Sequence, residues 1–497
     1  MKKVLLFILL PLLSMAQTQI GADIDGEAAG DQSGIIVSLS SDGTIVAIGA
    51  PHNAESGEDA GSVRVYQKAS GTWTQIGADI DAETAGDFSG RNVSLSSDGT
   101  TVAIGAPYND GSVTDAGSVR VYKNVSGTWT KIGADIDGEA EYDQSGYSVS
   151  LSSNGTILAI GASYNDGSGT DAGSVRVYQN VLGTWTQLGA DIDGEAEYDQ
   201  SGYSVSLSSD GSIVAIGAPL NDGSVTDAGS IRVYQNISGT WTQLGADIDG
   251  EAASDYSGYS VFLSSDGATV AIGAVGNDGN DGNDGNDVSG TSAGSVRVYQ
   301  NVSGTWTQLG ADIDGEAAND NSGNSVSLSS DGAIVAIGAY QNDGSGASAG
   351  SVRVYKMVSG TWTKIGADID GEAANDNSGY CVSLSSDGST VAIGAYQNVG
   401  NGANAGHVRV YDLIAVLSSD RFVLSNFSVY PNPASEQVTI TLQENLQLEK
   451  VNIYNTLGQL IKTEKNNTIN VSSLSKGSYY FEVITNQGKA TKTILVQ

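Results

Sequence analysis

Seven times along this 497-residue chain, four carboxylates recur at relative positions 1, 3, 5 and 9 of one short stretch. The sets are Asp23, Asp25, Glu27 and Asp31; Asp79, Asp81, Glu83 and Asp87; Asp135, Asp137, Glu139 and Asp143; Asp191, Asp193, Glu195 and Asp199; Asp247, Asp249, Glu251 and Asp255; Asp312, Asp314, Glu316 and Asp320; Asp368, Asp370, Glu372 and Asp376. Alternating carboxylates followed by one farther along suit a hard cation that takes six to eight oxygens, and calcium is the natural candidate outside a cell. The loop glycine stands at position 4, however, as at Gly26, and not at 6 as in an EF-hand loop. A second chemistry stays open beside the first. The Asp-Ile-Asp segment also reads, and more readily given the loose spacing, as a strand end with outward carboxylates, and Asp31 and its equivalents as turn caps. One arginine per unit (Arg64, Arg120, Arg176, Arg232, Arg297, Arg353 and Arg409) is then available to neutralise an acid. Tyr108, Tyr164, Tyr340 and Tyr396 begin another long loop, where tyrosines can stack on sugars or anchor a protein, or pack the loop base.

The elements that position these residues are repeats. GTWT followed by Gln or Lys recurs with Trp73, Trp129, Trp185, Trp241, Trp306 and Trp362, at spacings of 56, 56, 56, 65 and 56. GADID begins at Gly21, Gly77, Gly133, Gly189, Gly245, Gly310 and Gly366. Repetition at this period signals a solenoid or propeller. Within one unit, Tyr147 to Ser152 alternates, Thr156 to Ala162 is almost continuously apolar, and Ser174 to Gln179 and Thr184 to Gly189 follow a loop. Asp-Gly and Asn-Gly turns between β-rich runs signal hairpins, and the continuous apolar run suits a strand buried on both faces. Four strands per unit is the pattern of propeller blades, so the fold expected over 17–412 is an all-β, seven-bladed β-propeller. The ends support closure. The seventh unit stops at Asp412 without its Trp-bearing strand, and Thr18-Gln19-Ile20-Gly21 supplies what is missing. The repeated Trp residues are expected to pack the blades.

Antiparallel order places the long loops on one face and the tight turns on the other. Of the 57 acidic residues, 51 fall in 17–412; six of these lie in Ser-Ser-Asp-Gly turns and Asp412 ends a strand. The remaining 44 lie in the long loops, which as read from the repeat contain no Lys or Arg. A formal net charge of −35 argues against nucleic acid and anionic lipid surfaces as partners. The run with Asp278, Asp281, Asp284 and Asp287 reads as a repeat expansion and a weaker cation candidate.

Lys2, Lys3, the apolar run Val4 to Leu13 and Ser14-Met15-Ala16 form the pattern of a signal peptide over 1–16. That run is too short to span a bilayer, and no later stretch is long enough. Cys381, the one cysteine, excludes an intrachain disulfide and reads as a small buried strand residue. With two histidines, His52 and His407, and nearly identical units, no nucleophile and base stand out, which argues against an enzyme.

The stretch SGYSVSLSSDGSIVAIGAP (Ser201 to Pro219), then AGSIRVY (Ala228 to Tyr234), resembles FG-GAP repeats, the family of the integrin α propellers. Gly-Ala-Pro is intact at Gly49-Ala50-Pro51, Gly105-Ala106-Pro107 and Gly217-Ala218-Pro219, while serine replaces the phenylalanine of the Phe-Gly pair, as at Ser33-Gly34. The resemblance implies a seven-bladed propeller, extracellular placement, and often adhesion or ligand binding. The family's calcium loop joins the first two strands of a blade. Here that connection is only a turn such as Ser40-Ser41-Asp42-Gly43, so the family's metal site does not carry over.

Composition changes after Asp412: a linker is expected over 413–425, then a small β-sandwich over 426–497, with strands at Gln437 to Leu442, Lys450 to Tyr454 and Tyr479 to Thr485. VYPNPASEQVTI, VNIYNTLGQLI and LSKGSYYFEVITNQGKATKTILV resemble the type A sorting domain of the type IX secretion system. That implies a Bacteroidota source, the secretion machinery as a partner, and delivery to the cell surface or medium. The ending Val496-Gln497 departs from that pattern by lacking a basic residue. The expected function is a monomeric surface or secreted adhesin-like protein whose acidic loop face binds a glycan or protein, with calcium as the one cofactor to test. A polysaccharide-active enzyme and a structural surface-layer component are the alternatives.

Overall fold

The structure, a computed structural model, describes residues 17–278, 291–417, 427–442, 446–455, 459–485 and 488–497. The expected signal peptide and Asp281, Asp284 and Asp287 lie outside these residues. The chain divides into two compact units, Gln17–Leu413 and Ile414–Gln497.

The larger unit is built from seven five-stranded antiparallel sheets. In one of them the innermost strand is Ser148–Leu151, followed outwards by Ile157–Ala162, Ser174–Val181 and Thr184–Gln187. Every residue of Ile157–Ala162 is buried, because neighbouring sheets cover both of its faces. Cores form between sheets: Val119, Val121 and Ile136 pack against Val149, Leu151, Leu158 and Ile160 of the next. The innermost strands touch in chain order, and Ile36–Leu39 of the first touches Cys381–Leu384 of the last. The all-β propeller is therefore closed. Cys381 is buried there, receiving the Val37 N–H at 3.3 Å, and its thiol is pushed up to about 11 by burial.

Closure uses both chain ends, as the repeats imply. Thr18 and Gln19 pair with Asp412 and Tyr411, and Ile24 and Asp25 with Val408 and His407. At the tight-turn face the backbone forms a ring of seven hydrogen bonds. Ser41 donates to Ser97, Ser97 to Ser153, Ser153 to Ser209, Ser209 to Ser265, Ser265 to Ser330, Ser330 to Ser386, and Ser386 back to Ser41, at 2.7–3.0 Å. Each tryptophan donates Nε1–H to a carbonyl of the preceding sheet or, for Trp73, to Ile20 of the N-terminal segment, as Trp185 does to Ile132 at 3.0 Å. These residues join sheets, in keeping with their fixed position.

One element was hidden in the sequence. Asp-Ile-Asp carries the outer strand on past an irregularity. The chain bulges at Gly189 (φ +86°) and Ile192–Asp193 resumes along the same partner, pairing with Val175 and Ser174 as a short fifth strand. The isoleucine is buried and the aspartate points out.

The smaller unit has a three-stranded sheet (Phe427–Tyr430, Gln437–Leu442, Thr468–Asn470) and a four-stranded sheet (Leu460–Glu464, Leu448–Tyr454, Gly477–Thr485, Gly488–Val496). Alternating apolar residues such as Val451, Ile453, Phe481 and Val483 meet Val438, Ile440 and Ile469 in its core.

Candidate functional site

The four carboxylates of each loop have four different surroundings. At position 9 they are buried caps: Asp199 accepts the Ala196 N–H at 3.0 Å and the Asn221 amide at 2.8 Å. Asp31 and Asp376 do the same with Ala28 and Asn53, and with Ala373 and Asn398. Position 1 sits at the outer rim, where Gln19 and Gln187 donate to Asp23 and Asp191, while Lys131 and Lys364 reach Asp135 and Asp368 at 2.7 Å. Position 3 ends the fifth strand. Position 5 meets the third-strand arginine in all seven loops, from Arg297–Glu251 at 3.2 Å to Arg409–Glu372 at 3.9 Å. Arg232, itself buried, also donates to the Asp193 carbonyl (2.8 Å) and to Ser201 Oγ (3.2 Å). Ser201 holds the place of the missing phenylalanine, so the serine is an arginine acceptor. Each loop is thus tied by its isoleucine strand to the sheet before it and by arginine to the sheet after it.

Carboxylates approach one another between loops. Among the described residues, Glu27, Glu55 and Asp79 form one group within 4.8 Å, and Asp23, Glu372 and His407 another.

Burial raises the pKa of Glu27, Glu139 and Glu195 above the usual 4.5; Arg64, Arg176 and Arg232 oppose the shift and Asp79, Asp191 and Asp247 add to it. Burial also raises Asp81, Asp137, Asp193 and Asp249 above 3.8. In the tight turns burial opposes ionisation, but Ser and Thr hydrogen bonds outweigh it and hold Asp42, Asp98, Asp210 and Asp387 below 3.8. A raised carboxyl favours the folded state below its unfolded pKa and loses that contribution as pH rises through the folded value. A lowered one contributes above its unfolded pKa and loses that contribution as pH falls through its folded value. As pH falls, the raised carboxyls add stability down to their ordinary values of 4.5 and 3.8, and the turn aspartates remove it below 3.8, so melting temperature is expected to peak at about pH 4. Melts at constant ionic strength check this; a melting temperature that falls steadily from about pH 5 to 4 contradicts it.

The other prominent site lies at the loop-face mouth of the central channel, a cavity of about 240 Å³. The residue just before each innermost strand points there: Ile35, Arg91, Tyr147, Tyr203, Asn324 and Tyr380, with Tyr259 at the matching place in the remaining sheet. Tyr147 and Tyr203 lie 5.0 Å apart by ring centroid, and Tyr203 and Tyr259 4.8 Å. The Arg91 guanidinium stands 5.5 Å from the Tyr147 ring centre. Burial opposes its charge, and Tyr380, Tyr147, Tyr203 and Tyr259 more than offset that, holding its pKa above the ordinary arginine value. Of the loop tyrosines singled out in the sequence, Tyr164 packs on Tyr147 and both Tyr340 and Tyr396 pack on Tyr380, whereas Tyr108 packs on Phe88. Three of the four thus form an outer tier behind the channel-mouth ring. Residues 56 apart become neighbours only when successive sheets pack side by side. The one trace in the repeat is that this position varies between Ile, Arg, Tyr and Asn, while the glycine before it and the valine two places on never change.

Comparison with known proteins places these features. Residues 428–497 match the secretion system C-terminal sorting domain, and residues 131–178 match the FG-GAP repeat. The chain is accordingly an exported protein, sent by the type IX route to the cell surface or extracellular space. Ulvan lyase NLR42 of Nonlabens ulvanivorans is 35% identical over 85 residues, which is 16% of either chain. The chain therefore spans about a sixth of that relative. A candidate 6-phosphogluconolactonase from Bacteroides uniformis ATCC 8492 superposes with a TM-score of 0.48 at 11% identity, covering 68% of this chain and 85% of that one. The periplasmic gluconolactonase PpgL of Pseudomonas aeruginosa gives 0.45 at 16%, with the same coverage. No helix among the described residues is long and apolar enough to cross a membrane.

Proposed function

For a chain delivered outside the cell, we propose a binding protein that takes a glycan at the channel mouth of the loop face. The observation that carries this reading is the tyrosine ring around Arg91. Tyrosine faces stack on the apolar faces of sugar rings, and their hydroxyls take hydrogen bonds. Arginine offers a rigid fork of donors suited to paired sugar oxygens or a uronate. The strand framework is held nearly constant from unit to unit while this position changes, as expected of a scaffold carrying a site. The acidic rim keeps the face hydrated and soluble.

The test is oligosaccharide binding by calorimetry or glycan array. Tyr203→Ala combined with Tyr259→Ala is expected to weaken binding by at least about tenfold, with little change in melting; stacked aromatic anchors are worth about 1–3 kcal/mol each. Binding that survives the double variant places the site elsewhere. The polysaccharide-active alternative draws on the short likeness to an ulvan lyase. Chain shortening of the bound glycan on incubation would favour it.

A further inference from the structure

The seventh sheet departs from its siblings at the start of its third strand. Ser62, Ser118, Ser174, Ser230, Ser295 and Ser351 begin the third strand of six sheets, each opposite the aspartate of the fifth strand. In the seventh sheet that place is His407, opposite Asp25. Its side chain is 1% exposed, and Nδ1 faces two carboxylates without hydrogen-bonding either: Asp23 Oδ2 at 3.7 Å and Glu372 Oε2 at 3.9 Å. Nε2 has no partner either. A buried imidazole whose Nε2 has no partner and whose Nδ1 stands beyond hydrogen-bonding distance of both carboxylates costs more than the serine it replaces, unless something occupies the gap.

We propose that His407 Nδ1, Asp23 and Glu372 bind one divalent transition-metal ion of the zinc type, which clasps the N-terminal segment to the last sheet. Zinc bonds of about 2.0–2.2 Å to nitrogen and oxygen put tetrahedral ligand atoms roughly 3.4 Å apart. The two oxygens need move only a few tenths of an ångström towards Nδ1, and all three atoms already lie within 4.8 Å of one another. A fourth position remains for water. The nitrogen ligand selects against calcium and magnesium, which take oxygen. The carboxylates are half-exposed, at 30% and 47%, which gives an ion a path from solvent. The other arms of the site are already fixed: Gln19 holds the second Asp23 oxygen at 2.6 Å, and Arg409 lies 3.9 Å from Glu372 Oε1. The ligands come from residues 23, 372 and 407, so the ion ties together the segments that close the ring.

The experiment compares the full chain with His407→Ser, which restores the residue found in six sibling sheets and so should fold. Zinc is titrated by calorimetry into EDTA-stripped protein, and melts are recorded with zinc, calcium and magnesium. The expected result is one zinc per chain in a tight class and a melting temperature raised by zinc alone. His407→Ser should weaken that class at least about a hundredfold and remove the shift. Asp23→Asn, a near-isosteric second variant, should weaken it about tenfold or more. Absence of a tight class in the full chain overturns the proposal. So does an equal zinc shift in His407→Ser, which would assign the ion to the acidic loops at large.

Discussion

Alanine in place of Gly161 is expected to destabilise the larger unit by more than about 3 kcal/mol, because the new methyl group has nowhere to go. Gly161 is the glycine of the Ile-Gly-Ala run in the second strand. An added Cβ would lie 2.0 Å from the Gly202 carbonyl oxygen of the neighbouring sheet and 2.3 Å from Ser148 Oγ. The serine can turn away, but the carbonyl cannot: the Gly202 N–H is bonded to Gly217 at 3.1 Å and the Gly146 N–H to Gly161 at 3.0 Å, which holds both backbones in place. Gly183→Ala is the matched control. Gly183 has φ +88°, and an added Cβ there meets nothing within 4 Å, so only left-handed strain of about 1–2 kcal/mol applies. Thermal and denaturant melts of the two variants separate close sheet approach from backbone strain. Equal losses would mean that the sheets can part to admit a methyl group.

A chain beginning at Gly26 instead of Gln17 is expected to lose more. It lacks both strands that complete the last sheet, Thr18–Gln19 and Ile24–Asp25. Ile20 and Ile24, each at most 9% exposed, leave a core shared with Val408 and Val410. Trp73 loses the Ile20 carbonyl that accepts its N–H at 2.8 Å. Two buried isoleucines alone represent roughly 3–6 kcal/mol, and the bared strand His407–Asp412 becomes an edge open to pairing with other chains. Insoluble protein, or a melting temperature lowered by ten degrees or more, is the expected outcome. A peptide of residues 17–25 added in trans should recover part of the loss. A shortened chain that melts within two degrees of the longer one would show that the ring does not depend on its N-terminal segment.

The repeat carried the architecture in plain view, since strand alternation, hairpin turns and the missing outer strand are local or counting signals. Position 9 of each loop was legible in one of its two readings, because an aspartate three residues after a bare N–H is a short-range cap, and Asp199 with Ala196 is such a pair. Arginine as partner for one acid per loop was legible too, although which acid was not; that depends on where the bulge after the fourth strand sets the loop against the next sheet. The channel mouth was not legible. Tyr147 read as the first member of an alternating strand, and nothing within one repeat says that Tyr203 and Tyr259 will stand beside it. His407 was visible as one of two histidines, but its neighbours Asp23 and Glu372 are far away in sequence and meet it only through closure.

The seven-serine ring bears on how long the folded molecule lasts. A linear stack of sheets can fray from either end, one unit at a time. A closed ring has no free end sheet, so opening must break a junction between sheets, such as that of the first and last, where Ser386 meets Ser41, or strip the N-terminal strands from the last sheet, where Thr18 meets Asp412. Those contacts join residues hundreds of positions apart and form only after most of the chain is ordered. Interactions formed that late retard unfolding far more than they speed folding. Outside the cell, where the chain meets proteases and no refolding machinery, the slow loss of that junction sets its working lifetime.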